Sequence, residues 1–312
     1  MMQTKSQQSD RVGMGWRPEL APGIFSALGE SDSKPDLLEV LAGDFLDSSK
    51  SRAAKKTSAL KVLSQHVPIH VHSTDLGMAA SEEVSTTRLE ALARLINEIE
   101  PEAWSEHLAF VRAGGAEIGH LALPPRNQAS VAATARNIRK AARLVGSLPH
   151  MENIATLMQP PCSVFSEQEW ISQIVAASGC GLLLDLHNLH ANATNFSFDP
   201  LLFLDDIPLE RVRYIHIAGG KWITSPGGGK QYLLDDHLHP VDEPVYALLA
   251  EVAARTPLPL TVVLERDGAY PEMPMLLYEL DCARAALRAG RLRRDGTRVP
   301  DSQSVERLPH AG

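Results

Sequence analysis

Ionisable side chains stand at the carboxyl ends of most strand-like segments in this sequence. They are His72, His107, Glu152, Asp185, His187, His216 and Glu265, with Asp235 and His237 following the seventh segment. Mixed imidazole and carboxylate donors suit iron, zinc or manganese, whereas a proton shuttle needs only one or two such groups. The pattern therefore predicts a metal site, and the number of donors predicts two or three ions.

Some neighbouring polar residues have a different predicted role. A single histidine in a barrel strand is more often a hydrogen-bonded core residue, and His70 is interpreted in this way because it would lie one layer deeper than His72. Glu39 is predicted to orient a metal-binding histidine rather than to bind a metal itself. Three further histidines in predicted loops remain candidates: His120, His190 and His239.

Eight extended apolar segments alternate with helix-like segments along the chain. Strands are predicted at residues 12–15, 37–41, 67–72, 103–108, 151–154, 181–187, 212–217 and 260–265. Helices are predicted at residues 87–99, 130–145, 166–177, 242–254 and 274–289. Such alternation favours a closed (β/α)8 TIM barrel of class α/β over an open doubly wound sheet. The carboxyl ends of its strands would bring the ionisable groups to one mouth.

The same pattern gives expectations for domains and loops. Residues 11–290 are predicted to form a single catalytic domain, with residues 1–10 disordered and residues 291–312 a flexible tail. Asp185 and His187 are two apart in a predicted strand, so they are expected on one face. Residues 218–233 are rich in glycine and are interpreted as a long loop, either a flexible lid or a peptide-binding loop.

Two glycine motifs fail as nucleotide-binding signatures. The segment 227–230 (GGGK) resembles a phosphate loop, but Thr224 and Gln231 stand where glycine and serine or threonine are needed. The segment 13–15 (GMG) begins like a dinucleotide fingerprint, but Pro18 occupies the third glycine position. No organic cofactor is therefore predicted.

Composition limits the partners and the compartment. A net charge of −8 argues against nucleic-acid binding, which requires a basic face. The three cysteines, Cys162, Cys180 and Cys282, are far apart and form no disulfide framework, so a reducing compartment is expected. The amino-terminal residues show no apolar signal segment, and no stretch is long and apolar enough for a membrane helix. We therefore expect a cytoplasmic protein that does not enter a membrane.

Several short motifs occur in an informative order. They are the segments 13–17 (GMGWR), 38–40 (LEV), 105–108 (SEHL), 152–153 (EN), 183–185 (LLD), 215–219 (IHIAG), 235–237 (DDH), 240–241 (PV) and 264–265 (LE). In this order the chain resembles the MbnB-like multinuclear non-haem iron-dependent oxidative enzymes, a family of TIM-barrel proteins. The resemblance extends over nearly the whole chain, from Val12 to Ala289.

The resemblance implies an iron enzyme that uses molecular oxygen. Two or three ferrous or mixed-valent irons would be bound, and a cysteine, or else an aspartate, of a ribosomally synthesised precursor peptide would be modified. A small partner protein would present the peptide. The implied ligands are His72, His107, Glu152, Asp185, His216, Asp235, His237 and Glu265.

Within that ligand set, some residues carry more specific expectations. Glu152 would bridge two irons, supported by a hydrogen bond from Asn153, and His107 and Asp185 would join it as catalytic residues. His187 stands where many family members have asparagine. The chain therefore departs from the family pattern at this position, and a histidine ligand here would strengthen a site or change the number of metal ions.

Two other functions use the same residues. A zinc- or manganese-dependent barrel hydrolase or isomerase of the xylose-isomerase-like type would need the same ligand types. A barrel without enzymatic activity that only binds metal is the third alternative. Titratable groups concentrated at one mouth would destabilise the protein without a bound ion. This favours functions in which the protein binds metal.

Overall fold

The computed structural model describes residues 9–30, 33–46, 50–225 and 227–296. The strands are β1 (Arg11–Gly15), β2 (Leu38–Leu41), β3 (Ile69–Ser73), β4 (Ala103–His107), β5 (Phe110–Ala113), β6 (Ala116–Ala122), β7 (His150–Glu152), β8 (Gly181–Asp185), β9 (Val212–Ile217), β10 (Gly219–Thr224), β11 (Gln231–His239) and β12 (Thr261–Leu264). The α-helices are α1 (Ala21–Glu30), α2 (Lys50–Leu63), α3 (Thr86–Ile99), α4 (Gln128–Val145), α5 (Glu167–Ser178), α6 (Leu186–Phe196), α7 (Pro200–Asp206), α8 (Glu243–Arg255) and α9 (Met273–Arg294).

Eight of these strands form a closed parallel barrel. Their order around it is β1, β12, β9, β8, β7, β4, β3 and β2, and β2 pairs with β1 to close the ring. The predicted TIM barrel is thus confirmed, and each predicted strand overlaps an observed one. All five predicted helices are also present, and α5 begins with the capping box that its sequence indicates, between Ser166 and Glu169.

The alternation of side-chain direction along the barrel strands brings ionisable side chains to the mouth of the barrel. Leu37, Leu183, Tyr214 and Val263 point inward and form a small apolar cluster that fills the interior. Two residues further along the same strands are Glu39, Asp185, His216 and Glu265, all buried. Because residues two apart in a strand share a face, each of these strands supplies first a packing residue and then an ionisable one.

The sixth barrel strand ends earlier than its apolar pattern predicts. β8 stops at Asp185, and His187 lies in the first turn of α6. The cause is capping, because Asp185 Oδ1 accepts a hydrogen bond of 2.7 Å from the backbone N–H of Asn188 and so starts the helix. The prediction that Asp185 and His187 share one face of a strand is therefore wrong.

The glycine-rich segment after β9 is a hairpin rather than a loop. β10 and β11 pair antiparallel, so Asp235 and His237 lie on a strand. A Cβ atom at Gly220 would lie 2.3 Å from the carbonyl oxygen of Leu234 and 2.4 Å from His187 Nε2, so only glycine fits this close approach. The prediction of a long irregular loop is wrong over most of its length.

A second hairpin, β5–β6, was not predicted. Its two turn residues, Gly114 and Gly115, have φ values of 57° and 80°. Positive φ at both central residues is what a tight type I′ turn requires. A Gly-Gly pair between two short extended runs was the sequence signal for it.

Buried asparagine side chains hold the loops around the mouth. Asn192 donates to the carbonyl of Ile154 and accepts from the N–H of Thr156, which fixes the loop after β7. Asn195 bonds in the same way to both backbone groups of Leu233 on β11. These paired bonds satisfy backbone groups that no strand or helix would pair.

The chain ends give partial information on the predicted boundaries. Asp10 contacts Arg291, and α9 continues four residues beyond the predicted boundary at residue 290. Residues 1–8 and 297–312, which include most of the predicted disordered start and flexible tail, lie outside the described residues. Within the described part, no helix combines the length and apolar character needed to cross a membrane.

Asn137 on α4 allows a test of the role of buried asparagines in holding loops, because it contacts the loop after β3. Its amide nitrogen donates to the carbonyls of Met78, Ala80 and Glu82, and its oxygen accepts from the N–H of Val84. We expect Asn137→Ala to lower the free energy of unfolding by about 2–4 kcal/mol, because buried backbone groups lose their partners. Urea unfolding measures this, and Arg143→Ala on an exposed part of α4 should change it by less than about 0.5 kcal/mol. Equal effects of the two changes would contradict the assigned role.

Candidate metal centre

Six of the predicted ligands meet at the carboxyl end of the barrel. The described residues contain two groups whose ligand atoms all lie within 4.8 Å of one another. The upper group consists of His72, His107 and Glu152. The deep group consists of Glu152, Asp185, His216 and Glu265. Glu152 belongs to both groups.

The carboxylate of Glu152 lies between imidazole rings from three strands. Its Oε2 lies 3.5 Å from His72 Nε2 and 3.4 Å from His107 Nε2. Its Oε1 lies 3.1 Å from His216 Nδ1. One oxygen thus faces the upper group and the other faces the deep group, which is the arrangement of a carboxylate that can bridge two cations.

Hydrogen bonds on the far side of each histidine fix the ring orientation. Ser105 Oγ lies 2.7 Å from His72 Nδ1, and Glu39 Oε2 lies 2.8 Å from His216 Nε2. The opposite nitrogen of each ring is then directed at Glu152. Carboxylate or hydroxyl partners of this kind select the tautomer of a metal-binding histidine. Glu39 contacts the nitrogen of His216 that faces away from Glu152, and its role in orienting a metal ligand stays a prediction.

Ser105 connects two histidines through one hydroxyl group. For His72 Nε2 to offer a lone pair, its Nδ1 must carry the proton and donate it to Ser105 Oγ. The hydroxyl then donates to His70 Nε2, which is 2.8 Å away. His70 is accordingly a buried, hydrogen-bonded residue one layer below the site, as its position in the strand predicts.

His107 is held differently from the other two histidines. Its Nδ1 lies 3.6 Å from Glu106 Oε1, and the other oxygen of Glu106 accepts from the N–H of Leu76. The side chain of His107 is 12% exposed, whereas that of His216 is completely buried. The upper group is therefore the one that opens toward solvent.

Burial and charge act against each other in the deep group. Burial alone would lower the pKa of His216, but the carboxylates around it, led by Glu265, raise that pKa well above its usual value. Burial raises the pKa of Asp185, and the nearby charge of Glu152 raises it further. Carboxylates in a buried mouth thus repel one another, and a bound cation would remove the repulsion.

Asp235 and His237 lie beside the deep group on the β10–β11 hairpin. His237 Nε2 is 2.6 Å from Asp235 Oδ1, and His187 Nε2 is 3.7 Å from the same oxygen. These three residues belong to neither compact group. His187 is completely buried, and both of its ring nitrogens lack a hydrogen-bond partner among the described residues.

Asp267 and Arg17 hold His237, and sequence reasoning missed both. Asp267 Oδ2 lies 3.2 Å from His237 Nδ1, and Arg17 pairs with the other oxygen of Asp267. His237 has a φ of 55°, a left-handed conformation that is uncommon for residues other than glycine. The sequence signal that could have identified Arg17 and Asp267 was their position, because each follows the carboxyl end of a barrel strand.

The remaining candidates lie elsewhere. His120 on β6 lines a cleft above the upper group, His190 borders a separate depression beside α8, and His239 pairs with Asp236 at the end of β11.

The amide of Asn153 exchanges two hydrogen bonds with the backbone of Asp185. The expectation that Asn153 supports the Glu152 side chain is therefore wrong, because its amide joins β7 to β8 instead.

The donor atoms of the site fit divalent metal ions. Within the described residues, Glu152 Oε2, Asp185 Oδ2 and Glu265 Oε2 are buried without a hydrogen-bond partner. Buried polar atoms normally have one, and these three oxygens belong to residues of the two compact groups, so they are atoms that could bind a cation. Imidazole with carboxylate matches the donors of iron, zinc and manganese.

A cleft of about 920 Å³ lies above the upper group. One wall is the β5–β6 hairpin and the other is the loop after β7, which includes Leu157, Met158 and Pro160. Its floor includes His107 and Glu152. None of the described residues that line this cleft is a lysine or an arginine.

Comparison with known sequences gives a consistent family. Residues 11–288 match the sequence profile described as RiPP precursor modification enzyme MbnB/TglH/ChrH. A UPF0276 protein of Streptomyces avermitilis is 34% identical over 283 residues, covering 88% of this chain and 55% of that protein. The chain therefore spans about half the length of that relative. A UPF0276 protein of Caulobacter vibrioides is 28% identical, and the match covers 91% of this chain and 97% of that protein.

Solved structures with a similar fold include sugar epimerases. L-ribulose 3-epimerase has a TM-score of 0.60 at 12% identity, covering 94% of this chain and 100% of that chain. The 3-keto-D-glucoside 4-epimerase YcjR of E. coli has a TM-score of 0.57 at 13% identity, covering 89% of this chain and 100% of that chain. At such low identity the likeness shows the barrel fold alone.

The hydroxyl of Ser105 provides a test of the proposed histidine orientation. We expect Ser105→Ala to weaken metal binding by about 10–100-fold, because the partner that fixes the His72 tautomer is lost. Competition with a chelator measures the affinity. Ser73→Ala is the matched control, since Ser73 on β3 is also buried and its Oγ has no hydrogen-bond partner among the described residues. If the two variants bind metal equally well, Ser105 does not orient a ligand.

Proposed function

We propose that this chain, which belongs to the MbnB/TglH/ChrH family of RiPP precursor modification enzymes, oxidatively modifies a residue of a ribosomally synthesised precursor peptide with iron and molecular oxygen. The family supports the substrate class, a precursor peptide. The donor set at the barrel mouth supports the metal, and the resemblance described above favours iron. Cysteine is the proposed target and aspartate the alternative.

The geometry of Glu152 is the observation that carries the proposal. Its two oxygens face two separate groups of donors. A single ion needs only three or four protein ligands, so two groups that share one carboxylate favour two ions. Asp235, His237 and His187 would complete a third site if three ions are bound.

The residues of the chain have distinct proposed tasks. His72, His107 and Glu152 would hold the ion nearest the cleft, and Asp185, His216 and Glu265 would hold the buried ion. Iron bound there would supply one-electron oxidation of the substrate with oxygen as the oxidant. Glu39 keeps the proton on His216 Nε2, and the buried surroundings of the deep group exclude bulk water. His107, Glu152 and Asp185 are the proposed catalytic residues.

The substrate side of the proposal follows from the cleft. A thiolate or carboxylate is a suitable ligand for an open metal position, and the cleft above His107 gives access to one. A small partner protein that presents the peptide is part of the proposal, as is a cytoplasmic location, which the separated cysteines favour. The zinc or manganese isomerase is the competing function, and the identity of the metal separates the two.

Metal content after purification without oxygen is the first test. We expect two or three irons per chain, and loss of the shared ligand in Glu152→Ala should remove iron from both groups at once. His66→Ala is the control, because this exposed histidine precedes β3 at the opposite end of the barrel. Elemental analysis and circular dichroism measure metal and fold. Stoichiometric zinc without iron in the native protein would exclude the iron enzyme.

Activity on a peptide is the second test. Precursor peptides containing cysteine, incubated with the iron-loaded protein, should undergo a mass change that requires oxygen. His107→Ala should reduce the rate by at least about 100-fold, because a ligand of the ion at the cleft is lost. Mass spectrometry follows the product, with a peptide in which serine replaces cysteine as the control. Equal modification with and without oxygen would show that the chemistry is not oxidative.

A further inference from the structure

The cleft above the upper group is bounded on two sides by fixed segments and is also lined by residues 233–237 of β11. We call it the mouth groove and define it by residues 119–123 of the β6 wall and residues 154–158 of the opposite loop. These walls follow β4 and β7, the neighbouring strands that carry His107 and Glu152. A chain lying in the groove would therefore cross directly above these two side chains.

The β5–β6 wall is held firmly against the barrel. Arg112 on β5 donates to the carbonyls of Leu76 and Asp75 at 2.9 Å and 2.7 Å. The N–H of Ala79 donates to the carbonyl of Ala109, just before the hairpin. The hairpin is thus fastened to the loop after β3 along its β5 side. It is a preformed wall rather than a lid.

The other side of the hairpin is an open strand edge. Its sheet contains only β5 and β6, so among the described strands β6 has a neighbour on one side alone. Ile118, Gly119, His120 and Leu121 have no register partner on β5, because the pairing shifts at a β-bulge there and Gly119 has a φ of 71°. Their backbone groups are therefore not paired within the hairpin ladder. The first five residues of β6 are exposed, and residues 119–122 line the groove. Unpaired strand edges are templates for another extended chain.

The opposite wall supplies an apolar surface. Leu157 and Met158 line the groove, and Met158 is 70% exposed. The start of this loop is fixed by Asn192, which bonds the backbone of Ile154 and Thr156. Exposed apolar side chains on a fixed loop beside a site are typical of a binding surface.

We propose that the segment of the precursor peptide around the modified residue binds as an added β-strand along β6. This inference rests on the proposed function. Main-chain hydrogen bonds to β6 would supply affinity with little dependence on sequence, as in other cases of strand addition. Alternate side chains would point to the floor and away from it.

The position of this added strand determines which group of ligands meets the substrate. A side chain directed at the floor would reach the upper group, His72, His107 and Glu152. Asp185 and His216 of the deep group do not line the groove, whereas Glu265, which is 4% exposed, does. A neighbouring apolar side chain of the peptide would contact Met158.

Hydrogen exchange without oxygen tests the pairing itself. The probe is a random library of short peptides with one central cysteine, selected for binding to the protein purified with its own metals. With a selected peptide bound, alternate backbone amides within residues 117–122, those that point to the free edge, should exchange at least about tenfold more slowly, because strand pairing protects them. N-methylation of alternate peptide amides should abolish binding in one register and be tolerated in the other.

A pair of variants tests the apolar wall. Met158→Asp should weaken binding of the selected peptide by about tenfold, the effect of losing one buried methionine contact. Val164→Asp is the matched control, because Val164 is 73% exposed in the same loop but does not line the groove. Its affinity for the peptide should be unchanged.

The outcomes separate this inference from the proposed function. A bound peptide that leaves residues 117–122 unprotected, or that tolerates N-methylation in both registers, overturns strand addition while peptide modification stands. Failure of every library peptide to bind would overturn strand addition, since the proposed main-chain contacts need no partner protein, while the substrate class is tested separately by the mass change of precursor peptides. Protection of β6 by a peptide that is never oxidised would support the binding mode and contradict the oxidative chemistry.

Discussion

The mouth of this barrel is organised around one buried carboxylate, that of Glu152. It has imidazoles on both sides, and the other carboxylates of the deep group are close enough to repel it. Such a cluster is costly to bury unless opposite charge is supplied. Part of this cost is relieved within the cluster, because His216 Nδ1 lies 3.1 Å from Glu152 Oε1 and 3.0 Å from Glu265 Oε2. Ser105, Glu39 and Asp267 contact the far sides of the histidines, so the other nitrogen of each ring stays directed at the site.

The rigidity of the mouth comes from side-chain amides that bond to backbone. Asn137, Asn153, Asn192 and Asn195 each contact two or more backbone groups in loops or strand ends. Loops of this length would otherwise keep much conformational entropy, and the ligands they carry would be poorly placed. A ligand set needs positioning within a fraction of an ångström. The amides therefore serve the site although none of them belongs to it.

Much of this arrangement could be predicted from the sequence, because it depends on local patterns. Strand runs with an ionisable residue at the carboxyl end were sufficient to predict the barrel and nine candidate ligands, of which six meet in the two compact groups. His187 was misplaced because one capping bond from Asp185 ends the strand. The β10–β11 hairpin depends on close backbone approach at Gly220, which apolar periodicity does not report. Asn153 could equally have bonded to Glu152 or to β8, and only the packing of neighbouring strands decides between them.

The barrel alone does not select a substrate, since the same fold occurs in sugar epimerases. What could select one is the structure built above the strand ends. A small sugar is best recognised by a pocket that encloses it, whereas a peptide must enter and leave at two ends. Here the walls after β4 and β7 stand on either side of His107 and leave a strand edge unpaired. A free edge recognises main chain, which every peptide has and no sugar does. The family supports a peptide substrate, and the unpaired edge beside His107 would give the main chain of such a peptide a place to bind.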